Sequence, residues 1–284
     1  MKEKIYSGIM GLVVGDALGV PFEFMQRDTF KAEGMTGYGT HNQPPGTWSD
    51  DSSMTLATME SIEHQDGIYP LDIMWNFVNW LSTGAFTPYG EVFDAGSTTV
   101  SAIERFRRGV SIEHCGGTSE RNNGNGALMR ILPLAFVPHT LDELDAVVGL
   151  THAHPISRLC CSIYLDVADF LIHGGRAKEI SALYADIDMR NRDEIKSSGY
   201  VVDTLEAAIW CLLKTDSYRD CVLTAVNLGE DTDTVAAVAG GLAGILYGVG
   251  GEKGIPEEWI EQIAKREEIE RLCLSFASRL KEVE

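Results

Sequence analysis

The chain has 284 residues, of which 44% are hydrophobic and 23% are charged, and this ordinary globular composition excludes a disordered or low-complexity protein. Its 23 basic and 42 acidic residues give a formal net charge of −19, which argues against nucleic-acid and anionic-membrane partners because binding to phosphates depends on Lys and Arg. The six cysteines form no CxxC pair, and no apolar stretch suits a leader or a spanning helix. We therefore expect a cytoplasmic protein with buried, reduced thiols.

Helical periodicity dominates the chain. Apolar residues recur at helical spacing over 73–81, 141–148 and 201–212, and glycine or proline separates these segments from their neighbours. Pro256 predicts the first turn of a last helix. Few stretches alternate with period two, and no linker or internal repeat divides the chain. We predict an all-α fold with a single domain over residues 1–284, built from about ten or more helices.

Two of the predicted helices carry many small residues. A glycine inside a helix costs about 0.5–1 kcal/mol relative to alanine, so repeated glycines predict that neighbouring backbones approach closely. These small residues are Ser7, Gly8, Gly11 and Gly15 near the start, and Ala236, Ala239, Gly240, Ala243 and Gly244 near the end.

Two acidic segments, residues 47–54 and 229–235, each lead into a predicted helix. Helix capping explains either segment alone, because one Asp, Ser or Thr cap stabilises a helix by about 1 kcal/mol. Taken together, the segments contain surplus carboxylates that repel each other unless a cation lies between them. Carboxylate and hydroxyl oxygens suit Mg²⁺ or Mn²⁺, and two such clusters suit a two-metal centre acting on a phosphate-bearing substrate.

Six motifs occur in an order that resembles the ADP-ribosylglycohydrolase family. They are Gly11 to Gly19 with Glu23, Ser49-Asp50-Asp51-Ser52, Asn123 to Arg130, Thr151 to Pro155, Ser198 to Thr204, and Asn227 to Thr234. The resemblance implies a compact orthogonal helical bundle with two Mg²⁺ ions, or Mn²⁺ in their place. It implies a hydrolase that removes ADP-ribose from modified protein side chains. Such ions would also offset the acidic charge, so that a protein of charge −19 could hold a diphosphate.

The resemblance also implies a role for residues in each motif. Glu23, Asp51 and Asp233 would be catalytic. The metal ligands would be Ser49, Asp50, Asp51, Asp231, Asp233 and Thr234. The substrate would be bound by Asp94, Ser97, Gly124, Asn125, Gly126, His154 and Tyr200.

Simpler interpretations stay open for several of these residues. Glu23 would otherwise be a surface glutamate, residues 124–126 a tight turn, and His154 a helix-entry residue bonded to backbone. Trp48 and Tyr200 are either core aromatics or adenine-stacking groups. We expect Asp16 to be structural, and five further histidines, His41 among them, belong to no pattern.

One segment departs from the family pattern. Asp94 is present, but Ser97 stands where the arginine-specific, nitrogenase-reactivating members have an asparagine. A hydroxyl cannot reproduce the donors and acceptor of an amide, so the leaving group stays open and discrimination for arginine should be weaker. Two other functions also stay open, namely a non-catalytic ADP-ribose-binding or crystallin-like protein and a hydrolase of free O-acyl-ADP-ribose.

Overall fold

The computed structural model describes residues 1–279, and this part of the chain is helical with no β-strand. The all-α prediction is therefore confirmed. The helices are α1 Lys2–Gly19, α2 Asp50–Gln65, α3 Pro70–Thr83, α4 Ser97–Arg107, α5 Leu141–Gly149, α6 Pro155–Ile172, α7 Ala177–Leu183, α8 Ala185–Asp188, α9 Val201–Lys214, α10 Tyr218–Val226, α11 Thr232–Tyr247, α12 Glu257–Ile260 and α13 Arg266–Arg279. The 3₁₀ turns used below are Val20–Phe22, Gly39–His41, Glu120–Asn122 and Asn125–Arg130.

The periodic segments that the sequence marked as helical are α3, α5 and α9. The prediction for Pro256 is wrong in one respect, because this residue precedes the single turn of α12 and not the last helix. Lys265 lies in the left-handed region with φ 54°, which turns the chain before α13 starts at Arg266.

The two glycine-rich helices, α1 and α11, lie against each other in antiparallel orientation, and we call them the central helix pair. A Cβ atom added to Gly15 would lie 2.1 Å from the carbonyl oxygen of Ala236. One added to Gly244 would lie 2.0 Å from that of Ser7, at the other end of the pair. Backbone therefore touches backbone along the helices, and this confirms the close approach that the small residues predict.

The remaining helices surround the central pair. Helices α9 and α10 pack on α11, α13 packs on α1, and α2 lies between α3 and α13. Residues 2–22 have the length and a mean hydropathy of 1.5 that a membrane-spanning helix would need, but 89% of the apolar window is buried in the protein. That burial is the environment of a core helix. All six cysteines are buried and free.

Three helix ends meet at one end of the central pair. Asp16, in the last turn of α1, accepts hydrogen bonds from the backbone amides of Ser49 and Ser52 at 3.0 Å each, which docks the start of α2 onto α1. Thr232, at the start of α11, donates its hydroxyl to the carbonyl oxygen of Gly19 at 2.8 Å. The fold thus brings both acidic segments to the same place, with Asp16 in the structural role expected for it.

Candidate active site

The two acidic segments touch through Asp51, which is fully buried. Its Oδ2 accepts hydrogen bonds from the Ser49 hydroxyl at 3.0 Å and from the Thr234 hydroxyl at 3.3 Å. Asp233 is also fully buried, and Asp50 is nearly so. Both helix N-termini therefore present carboxylates to one point, where the positive ends of the helix dipoles favour negative charge.

Three carboxylate oxygens of this cluster lack a hydrogen-bond partner within the described chain: Oδ1 of Asp51, Oδ1 of Asp231 and Oδ2 of Asp233. Ligand atoms of Asp16, Asp51 and Asp233 lie within 4.8 Å of one another, as do those of Glu23, Asp231 and Asp233. A buried carboxylate oxygen with no partner is costly unless a cation compensates it. Oxygen donors in this number fit Mg²⁺ or Mn²⁺.

Burial also raises the pKa values of these acids. Desolvation is the largest cause for Asp51 and Asp233, followed by the charges of neighbouring carboxylates, and both pKa values lie well above their usual range. The pKa of Asp16 rises to about 6 and that of Asp94 to about 8, again chiefly by burial. A bound cation would lower all of these values, because it favours the charged carboxylate.

Helix capping accounts for only part of this arrangement. The Ser49 side chain accepts a hydrogen bond from the amide of Asp51 at 3.3 Å and so caps α2. Asp231 is the N-cap residue of α11, but its side chain makes no capping hydrogen bond. Asp233 accepts the amide of Thr234 with Oδ1 at 2.9 Å, but its Oδ2 and one oxygen each of Asp51 and Asp231 take no part in capping.

Above the acid cluster lies a cavity of about 380 Å³. Most of the predicted site residues line it, while Ser49, Asp51 and Asp233 are buried outside its lining. The lining consists of Glu23, Phe24, Asp50, Asp94, Gly96, Ser97, Thr98, Thr99, Arg121, Gly124, Asn125, Gly126, Met129, His152, Gly199, Asp231 and Thr234. Arg121 is the single cationic side chain in this lining.

One wall of the cavity is backbone, at residues 124–126. Gly124 bridges to Tyr200 in an antiparallel manner, and Asn125 donates its side-chain amide to Asp231 Oδ2 at 2.9 Å. A Cβ atom on Gly126 would lie 2.9 Å from the His152 ring, so this position has no room for a side chain. The segment starts the 3₁₀ turn Asn125–Arg130, and Tyr200 is half-exposed beside it, outside the lining.

His154 does not line the cavity; His152 does. His154 is the N-cap residue of α6, and its Nδ1 accepts a hydrogen bond from the amide of Ile156 at 3.2 Å. This position corresponds to the helix-entry interpretation. Pro155 at the first helical position was the available signal, because proline there makes the preceding residue the cap.

A chain of hydrogen bonds orients His152. Arg130 is buried and donates to the Thr151 hydroxyl at 2.9 Å, and the same hydroxyl is hydrogen-bonded to His152 Nδ1 at 2.8 Å. Burial, with Arg130 nearby, lowers the pKa of His152 to about 3, and the ring is therefore neutral. The ring nitrogen Nε2 is the one nearest to Gly124.

Glu23 is only 4% exposed, which excludes the surface interpretation. Its Oε2 is hydrogen-bonded to His41 Nε2, a contact that no sequence pattern indicated. The backbone after Glu23 pairs with the Asp231 loop, because the amide of Phe24 donates to the carbonyl of Glu230 at 2.7 Å and the amide of Glu230 to that of Met25 at 2.8 Å. The two loops therefore hold each other in place.

Trp48 does not line the cavity. It is 1% exposed, and its indole N–H donates to the carbonyl of Ala264 at 3.0 Å. The core interpretation of this residue is the one that the structure supports.

Comparison with known proteins gives a consistent result. The model of the ADP-ribosylglycohydrolase family matches residues 1–284. The ADP-ribosylarginine hydrolase Tri1 of Serratia proteamaculans (strain 568) is 34% identical over 95% of this chain and 78% of its own length. The ADP-ribosyl-(dinitrogen reductase) glycohydrolase of Rhodospirillum rubrum is 32% identical over 95% of this chain and 93% of its own.

A solved structure described as an ADP-ribosylglycohydrolase-related protein complex superimposes with a TM-score of 0.84, at 30% identity, and covers 98% of both chains. Since the family match, the relatives and the structural match agree over nearly the whole length, this chain belongs to the ADP-ribosylglycohydrolase family.

Proposed function

We propose that this protein is a divalent-metal-dependent hydrolase that removes ADP-ribose from modified arginine side chains of proteins. The observation that carries the proposal is the set of three unpaired, buried carboxylate oxygens directly beneath a cavity with a glycine wall. The names of the two relatives, one an arginine hydrolase and one acting on dinitrogen reductase, support a protein substrate.

The cation site would be formed by Ser49, Asp50, Asp51, Asp231, Asp233 and Thr234. When bound there, Mg²⁺ or Mn²⁺ would offset the negative charge and acidify a water for attack on the ribose. The buried cysteines support a reducing location such as the cytoplasm.

The chain's own residues provide the remaining functions. Glycosidic cleavage passes through an oxocarbenium-like state that a positioned carboxyl group assists. Glu23 lines the cavity and would be this carboxyl group, and burial raises its pKa above the usual range of a glutamate. The backbone of Gly124, Asn125 and Gly126 lines the cavity and would bind the phosphates, and Asp94 with Ser97 would face the leaving group.

The test is a panel of arginine-, serine- and O-acetyl-linked ADP-ribose, incubated with Mg²⁺, with Mn²⁺ or with excess chelator. We expect release of ADP-ribose from the arginine conjugate with either ion and none in chelator. Glu23→Gln should lower the rate about 10²–10⁴-fold while nucleotide binding survives. Full activity in chelator would contradict the metal centre. ADP-ribose binding without turnover of any conjugate would establish a binding protein instead.

A further inference from the structure

The contact between Glu23 and His41 joins two turns of the chain at the edge of the cavity. Glu23 follows the turn Val20–Phe22, and His41 ends the turn Gly39–His41. Their side chains are 5% and 14% exposed, and Oε2 of Glu23 and Nε2 of His41 are hydrogen-bonded. Since an ionised carboxylate can only accept, His41 donates this hydrogen bond.

The His41 turn is built directly on the Glu23 segment. The Thr40 hydroxyl donates to the backbone carbonyl of Glu23 at 2.7 Å. Gly39 has φ +55°, and a Cβ atom there would lie 1.9 Å from the carbonyl oxygen of Pro21, so only glycine fits. The amide of Tyr38 donates to the carbonyl of Gln43, which closes the loop. Backbone and side chain of Glu23 are thus both held by residues 38–43.

Two aromatic rings lie beside the His41 imidazole. The ring centroid of Phe93 lies 5.2 Å from that of His41, and the centroid of Phe24 lies 6.0 Å away. Phe24 lies next to Glu23, and Phe93 lies next to Asp94. The imidazole therefore lies between the segments that carry Glu23 and Asp94, and it is not itself part of the cavity lining.

Acids surround the Glu23 carboxylate on its other sides. Asp231 and Asp233 offer oxygens within 4.8 Å of those of Glu23, and Asp94 lies within the same distance of Glu23 and His41. Whenever these neighbours are ionised, their charges push the Glu23 side chain away from the position it occupies. The His41 N–H is the donor that opposes this push and gives the carboxylate one orientation.

We propose that His41 is a positioning residue, which holds the Glu23 carboxylate at the cavity in the orientation that cleavage needs. This inference rests on the proposed function, in which Glu23 assists cleavage. Because His41 acts only through Glu23, its effect should appear in the rate of the chemical step and should vanish when Glu23 is no longer a carboxylate.

The test is a double-mutant cycle of His41→Ala and Glu23→Gln on the best conjugate of the panel. Misplacement of a catalytic group by about 1 Å can cost about 10²-fold, so we expect His41→Ala to lower kcat by up to that factor with an unchanged KM. In the Glu23→Gln background the same change should have no further effect. Added imidazole should restore part of the activity of His41→Ala, and His41→Gln, which keeps an N–H donor, should retain more. The matched control is His173→Ala, at an exposed histidine that pairs with Asp169.

Equal losses in both backgrounds, or a raised KM with an unchanged kcat, would overturn the proposal. Failure of the proposed function is recognised separately, because the unmodified enzyme would then release no ADP-ribose from any conjugate. The contact can also be measured without turnover, by imidazole NMR of the full chain. We expect a downfield Nε2 proton for His41 that moves upfield in Glu23→Gln, while the His173 signals stay in place. A His41 signal that has the same chemical shift in Glu23→Gln as in the unmodified chain would likewise overturn the proposal.

Discussion

Asp233 shows how burial and charge act on a single residue. It is fully buried in the first turn of α11, and one of its carboxylate oxygens lacks a partner. We expect Asp233→Ala to abolish ADP-ribose release and Mg²⁺ binding, measured by turnover and by calorimetric titration. Folding should be little affected, because the change also relieves repulsion within the cluster.

The matched control for this change is Asp142→Ala, which removes an exposed acid from the first turn of α5. This variant should bind Mg²⁺ and turn over as the unmodified chain does. Normal Mg²⁺ affinity in Asp233→Ala would place the cation elsewhere.

Ser97 lines the cavity, as Asp94 does. An asparagine amide there would add a second polar group beside the Asp94 carboxylate for a guanidinium. A hydrogen bond to a charged group contributes about 1.5–3 kcal/mol, so Ser97→Asn should raise the ratio of rates on arginine- and serine-linked substrates by about 10-fold or more. Ser101→Asn, on an exposed position of the same helix, is the control. An unchanged ratio in Ser97→Asn would show that this segment does not select the leaving group.

Sequence reasoning could identify the acidic segments because each begins a helix and consists of adjacent residues. It could not identify the contact between His41 and Glu23, which joins residues 18 positions apart through turns with left-handed residues at Tyr38 and Asn42. The resemblance to the family also assigned the substrate-binding histidine to His154, whereas the histidine that lines the cavity is His152, two residues earlier. Pro155 marks His154 as the cap of α6, and the structure adds the burial of His152 beneath residues 124–126.

At the scale of elements, the central helix pair sets the geometry of the site. We expect Gly15→Ala to destabilise the fold by about 1–3 kcal/mol or more, because the new methyl group would meet the backbone of α11 and not a flexible side chain. Gly34→Ala is the control, since the nearest atom to its Cβ would be 3.7 Å away. Chemical denaturation of both variants measures the difference, and equal stability would show that the helices can move apart without cost.

The helices themselves were the most predictable level of the fold. Periodic apolar residues fixed α3, α5 and α9 because helix formation depends on neighbours three and four positions away. The break after α12 was not predictable in the same way. It depends on the left-handed conformation of Lys265, a residue type that rarely adopts it.

For the whole molecule, the buried acids make stability depend on pH and on divalent ions. A carboxyl group whose pKa is raised by folding stays protonated at pH values where the same group in the unfolded chain, with a pKa near 4, is already ionised. Stability should therefore fall as the pH rises from 4 through the folded values, about 6 for Asp16 and about 8 for Asp94. In chelator, we expect the thermal midpoint to decrease between pH 5 and pH 8.

Mg²⁺ should reverse most of this decrease, and more at pH 8 than at pH 5, because it binds the ionised carboxylates. The Asp142→Ala variant should follow the unmodified chain, and Asp233→Ala should show a weaker pH dependence and little response to Mg²⁺. A midpoint in chelator that rises over this range would contradict the raised pKa values.

The backbone contact between α1 and α11 also affects how the results of a mutational scan of this protein should be interpreted. Gly11, Gly15, Gly240 and Gly244 all face backbone atoms at distances that exclude a methyl group. In a screen that scores activity alone, we expect substitutions at these glycines to be as damaging as substitutions at the buried carboxylates of the acid cluster. Cellular abundance would separate the two classes, because the glycine variants are lost by misfolding while the carboxylate variants accumulate as intact, inactive protein.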